Sequence, residues 1–395
     1  MRILMLNNEF PPLGGGTGTV NRALLERFAG VAELEIDLVT SALGRQAETE
    51  SFAERIQIIK VPVQNQNIHH SSNRELLTYA ARALPMALGL QRQHRYDVCM
   101  AWSAVPAGGV ALALHRLSGL PYVVRVSGPD IPGFERRYGA IYPMLTPVIR
   151  SVWRAAAVVV AKCADEAELI AKTDSKIGVT LIPNGVDLAA FPQTMISTNG
   201  PLRLLCVARL IERKGQHHLI AAVRRLVDIG IDVTLDLVGT GDAQATCEAL
   251  AQELDIAERV RFCGYIPREQ IAERYAQADV FVLPSFNEGM SVATLEAMAA
   301  GLPTVVTRTG GTAELVADQV SGLIFDWGDV KAMAGHIARL ARDRALAQRM
   351  GAAAHERATH FSWEATMQRY LEIFHELAAQ RTMPKSKIST AAARK

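Results

Sequence analysis

The sequence lacks the marks of a covalently stapled or membrane-spanning chain. Its five cysteines, Cys99, Cys163, Cys206, Cys247 and Cys263, are scattered over 395 residues without a Cys-x-x-Cys pair. An odd, dispersed set argues against a disulfide framework or a zinc ribbon and suits reduced thiols in a cytosol. The longest apolar runs, such as 155–161, fall far below the ~20 residues of a membrane span. The first ten residues read as a short strand and not as a signal peptide. Net charge is only +2, so no global field points to nucleic acid. No Asp-x-Asp pair occurs, and chemistry without a bound metal or other cofactor is expected.

What is present is a globular chain, 49% hydrophobic and 21% charged. Its length exceeds what one core usually holds, so two domains are expected. Apolar strands read at 2–6, 35–40, 56–61, 97–101, 122–127 and 158–161, with helical periodicity between them. A second series follows at 203–207, 232–238, 261–264, 280–283 and 304–307. Alternating strands and helices predict an α/β fold of two Rossmann-like, doubly wound parallel sheets. The segment 187–201 contains Pro192, Asn199, Gly200 and Pro201 and reads as a linker. It divides a first domain, 1–186, from a second, 202–361. Met367, Tyr370, Leu371 and Phe374 share one face of a helix near the end. Residues 381–395 have five basic and no acidic side chains and read as a disordered tail.

Four segments could carry chemistry. Pro11-Pro12-Leu13-Gly14-Gly15-Gly16-Thr17-Gly18 lies between a strand and a helix, where glycines let backbone amides approach an anion. No third glycine completes a dinucleotide fingerprint, and a simple tight turn is the alternative. Arg209 follows a strand and Lys214 precedes a helix. Two cations at strand carboxyl ends can neutralise a diphosphate, although surface cations near loops are common. In Asn287-Glu288-Gly289-Met290-Ser291, running on to Glu296, Ser291 reads as a helix cap. Glu288 precedes that helix and Glu296 lies inside it. Both carboxylates can accept hydroxyl hydrogen bonds from one ligand, or they can be solvated groups on a capped helix. Asp130, in Ser127-Gly128-Pro129-Asp130, ends a first-half strand and is either a site group or a turn residue.

Taken in order and spacing, these residues resemble family 4 of the retaining glycosyltransferases, of GT-B fold. The likeness rests on Glu288 and Glu296 in Glu-x7-Glu spacing, Arg209 with Lys214-Gly215, Ile182-Pro183-Asn184-Gly185-Val186-Asp187, Val238-Gly239-Thr240-Gly241-Asp242 and the Gly14–Gly16 loop. It implies two domains facing across a cleft, the first closed by a returning helix at 362–380. It implies a nucleotide-sugar donor and a hydroxyl acceptor. Arg209 and Lys214 would hold the diphosphate, with Gly239 on the donor side. Glu288 would meet the donor sugar beside the amides of Gly289, Met290 and Ser291, and Glu296 would bind ribose. Gly15 and Gly16 would approach from the first domain. Many relatives have a His near the segment 127–130, and none stands here. Asp130 is then the nearest candidate for a group beside the anomeric carbon. Two rivals stay open: a nucleotide-sugar epimerase on the same fold, and a non-catalytic sugar-nucleotide binder.

Charge is unevenly placed. Residues 61–162 contain eleven Lys or Arg against four Asp or Glu. Arg74, Arg82, Arg92, Arg95, Arg136, Arg137, Arg150 and Arg154 alternate with apolar residues. The pattern suits a cytoplasmic protein that lies peripherally on anionic membrane and takes a lipid-linked acceptor. Core-facing helices with solvated arginines would give the same pattern.

Overall fold

A computed structural model of the chain describes residues 1–68, 71–135 and 138–382. They form two compact units, Met1–Ile182 with 364–382, and Pro183–Trp363.

The first unit contains β1 (Arg2–Leu6), β2 (Glu35–Ala42), β3 (Glu48–Ala53), β4 (Ile56–Pro62), β5 (Val98–Ala101), β6 (Tyr122–Arg125), β7 (Val158–Ala161) and β8 (Val179–Leu181). They join in the order β3-β4-β2-β1-β5-β6-β7-β8. All these pairs are parallel except β3 with β4. β1 is followed outward by β2 on one side and by β5 on the other. The chain reverses direction across the sheet there, which makes the carboxyl ends of β1 and β5 the switch point of the fold. The continuously apolar β5, and β6, apolar up to its final Arg125, are buried at every position, as a parallel sheet covered on both faces requires.

The second unit contains β9 (Leu202–Val207), β10 (Val233–Val238), β11 (Val260–Gly264), β12 (Val280–Leu283), β13 (Thr304–Thr307) and β14 (Gly322–Phe325). Their order is β11-β10-β9-β12-β13-β14, parallel throughout. The switch point falls between β9 and β12.

The sequence boundaries need correction. Residues 187–201 are not a free linker, because Phe191 and Ile196 are buried in the second core. The Thr194 amide donates to the Ala300 carbonyl at 2.8 Å and that of Ser197 to Asp279 at 2.8 Å. Residues 183–186 also belong to the second unit, where the Val186 amide donates to Phe361 at 2.8 Å. The final helix, Trp363–Thr382, packs Phe374 against Phe28 of the first unit, 6.1 Å between ring centres. The helix Asn73–His94 runs through Pro85 without ending. It starts in a capping box in which Ser72 and Glu75 satisfy each other's backbone amides. The tail is expected from residue 381, but Arg381 and Thr382 still belong to the final helix; residues 383–395 and the residues Arg136 and Arg137 lie outside the described residues.

Candidate functional site

In the second unit the loops after β9 and β12 leave the sheet side by side at its switch point, where open α/β sheets bind ligands. The first loop contributes Arg209, Arg213 and Lys214, the second Asn287 and Glu288. The loops are tied together: the Phe286 amide donates to the Arg213 carbonyl at 2.7 Å, and the Arg213 guanidinium reaches the Asn287 side chain at 3.4 Å. Lys214 Nζ and Glu288 Oε1 form an ion pair, each side chain about 15% exposed (14% and 15%). Burial, with the positive charges of Arg213 and Arg209, lowers the Lys214 pKa against the pull of Glu288. Burial would raise that of Glu288, but Lys214 and Arg213 outweigh it and hold the carboxyl below its usual range. The cations beside Glu288 thus favour its charged form.

The loop after β12 then meets the helix Val292–Ala299. Ser291 caps it, its hydroxyl accepting from the Thr294 amide at 3.2 Å. Two supports fix the approach. Asn184 Nδ2 donates to the Met290 carbonyl at 2.9 Å. Behind Gly289 stands Gly311, where an added Cβ would lie 1.7 Å from the Gly289 carbonyl. Among the described residues the amides of Gly289, Met290 and Ser291 donate to no protein group. Three such donors at a helix start, beside three cations, form an anion-binding arrangement.

Glu296 lies inside the same helix, only 8% exposed. Tyr275 donates its hydroxyl hydrogen to Oε2 at 2.9 Å. Burial raises the Glu296 pKa, and Arg268 and Tyr275 only partly offset it. Gly239 follows β10 with φ +133, and a Cβ there would lie 2.1 Å from the Ala208 carbonyl. Its bareness lets the loop carrying Arg209 press against β10. Arg209 itself is half-buried, and Gln216 Nε2 donates to its carbonyl at 2.9 Å.

The structure thus brings Arg209, Lys214, Glu288, Gly289, Met290, Ser291, Glu296 and Gly239 into one unit around adjoining loops. Sequence reasoning missed Arg213, Tyr275 and Gly311. The Gly310-Gly311 pair after β13 was a readable signal for the last, while Tyr275 looks like any helical core residue.

Gly15, Gly16 and Asp130 belong to the first unit. The Gly15 amide donates to Glu9 Oε2 at 3.3 Å, and the helix Gly16–Phe28 starts beside it. Asp130 is 5% exposed, and its two oxygens accept the amides of Ala104 and Ser127. It staples the ends of β5 and β6 together. That role suits a group shaping a loop more than one touching a substrate. Burial raises its pKa against those two hydrogen bonds and the nearby Lys162.

Two family models match the chain: a glycosyl transferase 4-like domain over residues 15–185, and glycosyl transferases group 1 over residues 193–357. The chain is 29% identical over 424 aligned positions to a D-inositol 3-phosphate glycosyltransferase of Corynebacterium urealyticum, covering 97% of each protein. Its fold matches sucrose-phosphate synthase of Thermosynechococcus elongatus with a TM-score of 0.84 at 23% identity, over 96% of this chain and 100% of that one. It also matches Anabaena HepE, solved with UDP-glucose, with a TM-score of 0.75 at 20% identity, over 95% and 100%. With both units matched in order, the chain belongs to the group 1, family 4-type glycosyltransferases of GT-B fold, and is a hexosyl-transferring enzyme.

Proposed function

We propose that this enzyme takes its sugar from a nucleotide-sugar donor and transfers it, with retention, to a hydroxyl of a glycan, glycolipid or polysaccharide precursor. The observation that carries the donor reading is the convergence of Arg209, Arg213 and Lys214 on the amide-rich start of the helix Val292–Ala299. A diphosphate needs such a combination of fixed charges and oriented amides. The same fold holds UDP-glucose in HepE, and a relative is named for transfer to an inositol phosphate.

In this reading Arg209 and Lys214 hold the diphosphate, and Arg213 keeps the loop in place. Glu288 meets a donor-sugar hydroxyl while paired to Lys214. Glu296, oriented by Tyr275, accepts from the ribose, and Gly239 admits the nucleotide-side loop. The bond from the anomeric carbon to phosphate oxygen breaks, and the bond to the acceptor oxygen forms on the same face. The acceptor's proton passes to a diphosphate oxygen. The protein's share is positioning and stabilising the leaving charge, and the cations supply that charge without a metal ion. Gly15 and Gly16 stand at the start of the helix Gly16–Phe28 of the first unit, and Asp130 acts by fixing its loop.

Glu288→Gln tests this. A group used chiefly in the transition state lowers kcat with little change in binding. A fall in kcat with nucleoside diphosphate affinity kept supports the assignment. Full kcat removes Glu288 from the reacting sugar.

A further inference from the structure

Three helices of the first unit, Asn73–His94, Ala107–Ser118 and Tyr142–Ala155, pack in series, the first on the second and the second on the third. Their inner sides cover one face of the sheet through Tyr79, Ala83, Val110, Leu114, Ile149 and Trp153. Their outer sides share one charge sign. Arg74, Arg82 and Arg92 are exposed on the first, Arg116 on the second, and Arg150 and Arg154 on the third. The only acidic residue in the three helices is Glu75, buried in the capping box. Asp174 pairs with Arg154, at 2.6 Å. Other helices of the same unit interleave their charges, as in the pairs Arg22–Glu26 and Arg369–Glu372. Mixed signs are the usual composition of a solvated helix face.

The same outer sides expose aliphatic tips: Leu77 is 72% exposed, Leu117 68% and Met144 76%. The large aromatic side chains of these helices, Tyr79, Tyr142 and Trp153, are turned into the core. Protein interfaces draw their strength from buried aromatic anchors, and this face offers none. Arginines with aliphatic tips and, Arg154 apart, no acidic partner among the described residues match a lipid headgroup layer instead. Among the described residues no helix is long and apolar enough to cross a membrane, so contact there would be peripheral.

We infer that the outer face of these three helices docks the enzyme on an anionic lipid bilayer. Arg74, Arg82 and Arg92 supply the attraction, and Leu77, Leu117 and Met144 enter the headgroup region. The inference does not depend on the donor assignment, because it needs no donor.

Co-sedimentation of the full chain with vesicles, without donor, tests it. Vesicles of phosphatidylcholine with phosphatidylglycerol should pellet the protein at about 0.05 M salt and release it near 0.5 M, where screening is nearly complete within a few ångströms. Phosphatidylcholine alone should leave it in solution. Each cation near an anionic surface is worth about fivefold in partition, so Arg74→Glu/Arg82→Glu/Arg92→Glu should lower binding by at least ~100-fold. These side chains are exposed, so the variant should keep the wild-type melting temperature and catalytic rate on a water-soluble acceptor. Leu77→Glu with Met144→Glu should weaken binding further. Wild-type protein that stays in the supernatant with anionic vesicles at low salt overturns the inference, even if it binds heparin. So does a folded triple arginine variant that pellets as wild type does.

Discussion

Replacing Lys214 separates what the ion pair does for folding from what it does for the ligand. Lys214→Ala leaves Glu288 with burial pressing on its charge and only Arg213 beside it. Breaking a buried pair on one side costs about 3–5 kcal/mol. At about 15% exposure of each partner (14% and 15%), the lower end is the better expectation. The second effect is on the diphosphate: loss of one charge-assisted hydrogen bond costs about 1.5–3 kcal/mol, roughly 10- to 150-fold in affinity. The double variant Lys214→Ala/Glu288→Gln distinguishes the two. It removes the stranded charge, so it should regain at least ~2 kcal/mol of stability and none of the lost nucleotide affinity. Thermal or denaturant melts read the first and calorimetry with nucleoside diphosphates the second. If affinity returns together with stability, Lys214 acts on the ligand only through folding and does not touch the diphosphate. If the single variant keeps full affinity, the site is elsewhere.

Glu296 has a folded pKa raised by burial, so its charge opposes folding once pH rises through that raised value, and the opposition is absent below the ordinary glutamate range. Glu296→Gln should therefore melt higher than wild type at neutral pH, match it near pH 4, and bind the nucleotide more weakly; equal melting at both pH values contradicts the burial account. Gly311→Ala should lose transfer and about 1–3 kcal/mol of stability, because its Cβ collides with the Gly289 carbonyl. An alanine variant with wild-type activity would show that the Gly289–Ser291 amides need no fixed backing. Tyr275→Phe, read by nucleotide calorimetry and the pH profile of melting, should raise the Glu296 pKa further, since the lost hydrogen bond lowers it; an unchanged profile would mean Tyr275 does not govern that carboxylate.

Most strands were legible because parallel strands buried on both faces are continuously apolar, as in β5 and β12. β3 was not, because its residues Glu48 and Glu50 are exposed in an antiparallel edge pair with β4. β8, of three residues, gave too few for a period, and β14 opens on Gly322 directly after a turn, which reads as loop. Residues 187–201 misled because their prolines and glycines punctuate a segment whose Phe191 and Ile196 are nonetheless core residues. In the site, Arg209, Lys214 and Glu288 could be picked out as charged residues at a strand end or just before a helix, and Glu296 by its Glu-x7-Glu spacing from Glu288. Their mutual arrangement could not. The Lys214–Glu288 pair spans 74 positions and the Tyr275–Glu296 hydrogen bond 21, and neither follows from local spacing. Asp130 was legible as a notable carboxylate, but its two amide partners, which redefine its work, come from β5 and β6 loops.

On the proposed reading the second unit binds a sugar nucleotide through its cations. A thermal-shift screen of UDP-, GDP-, ADP- and dTDP-sugars against wild type and Arg209→Ala tests it most directly. At a ligand concentration of about 100 Kd the native state gains about 2.7 kcal/mol. Melting temperature should rise clearly with at least one sugar nucleotide, and the rise should be largely lost in Arg209→Ala. No rise with any of them, or a rise of equal size in the variant, would contradict it.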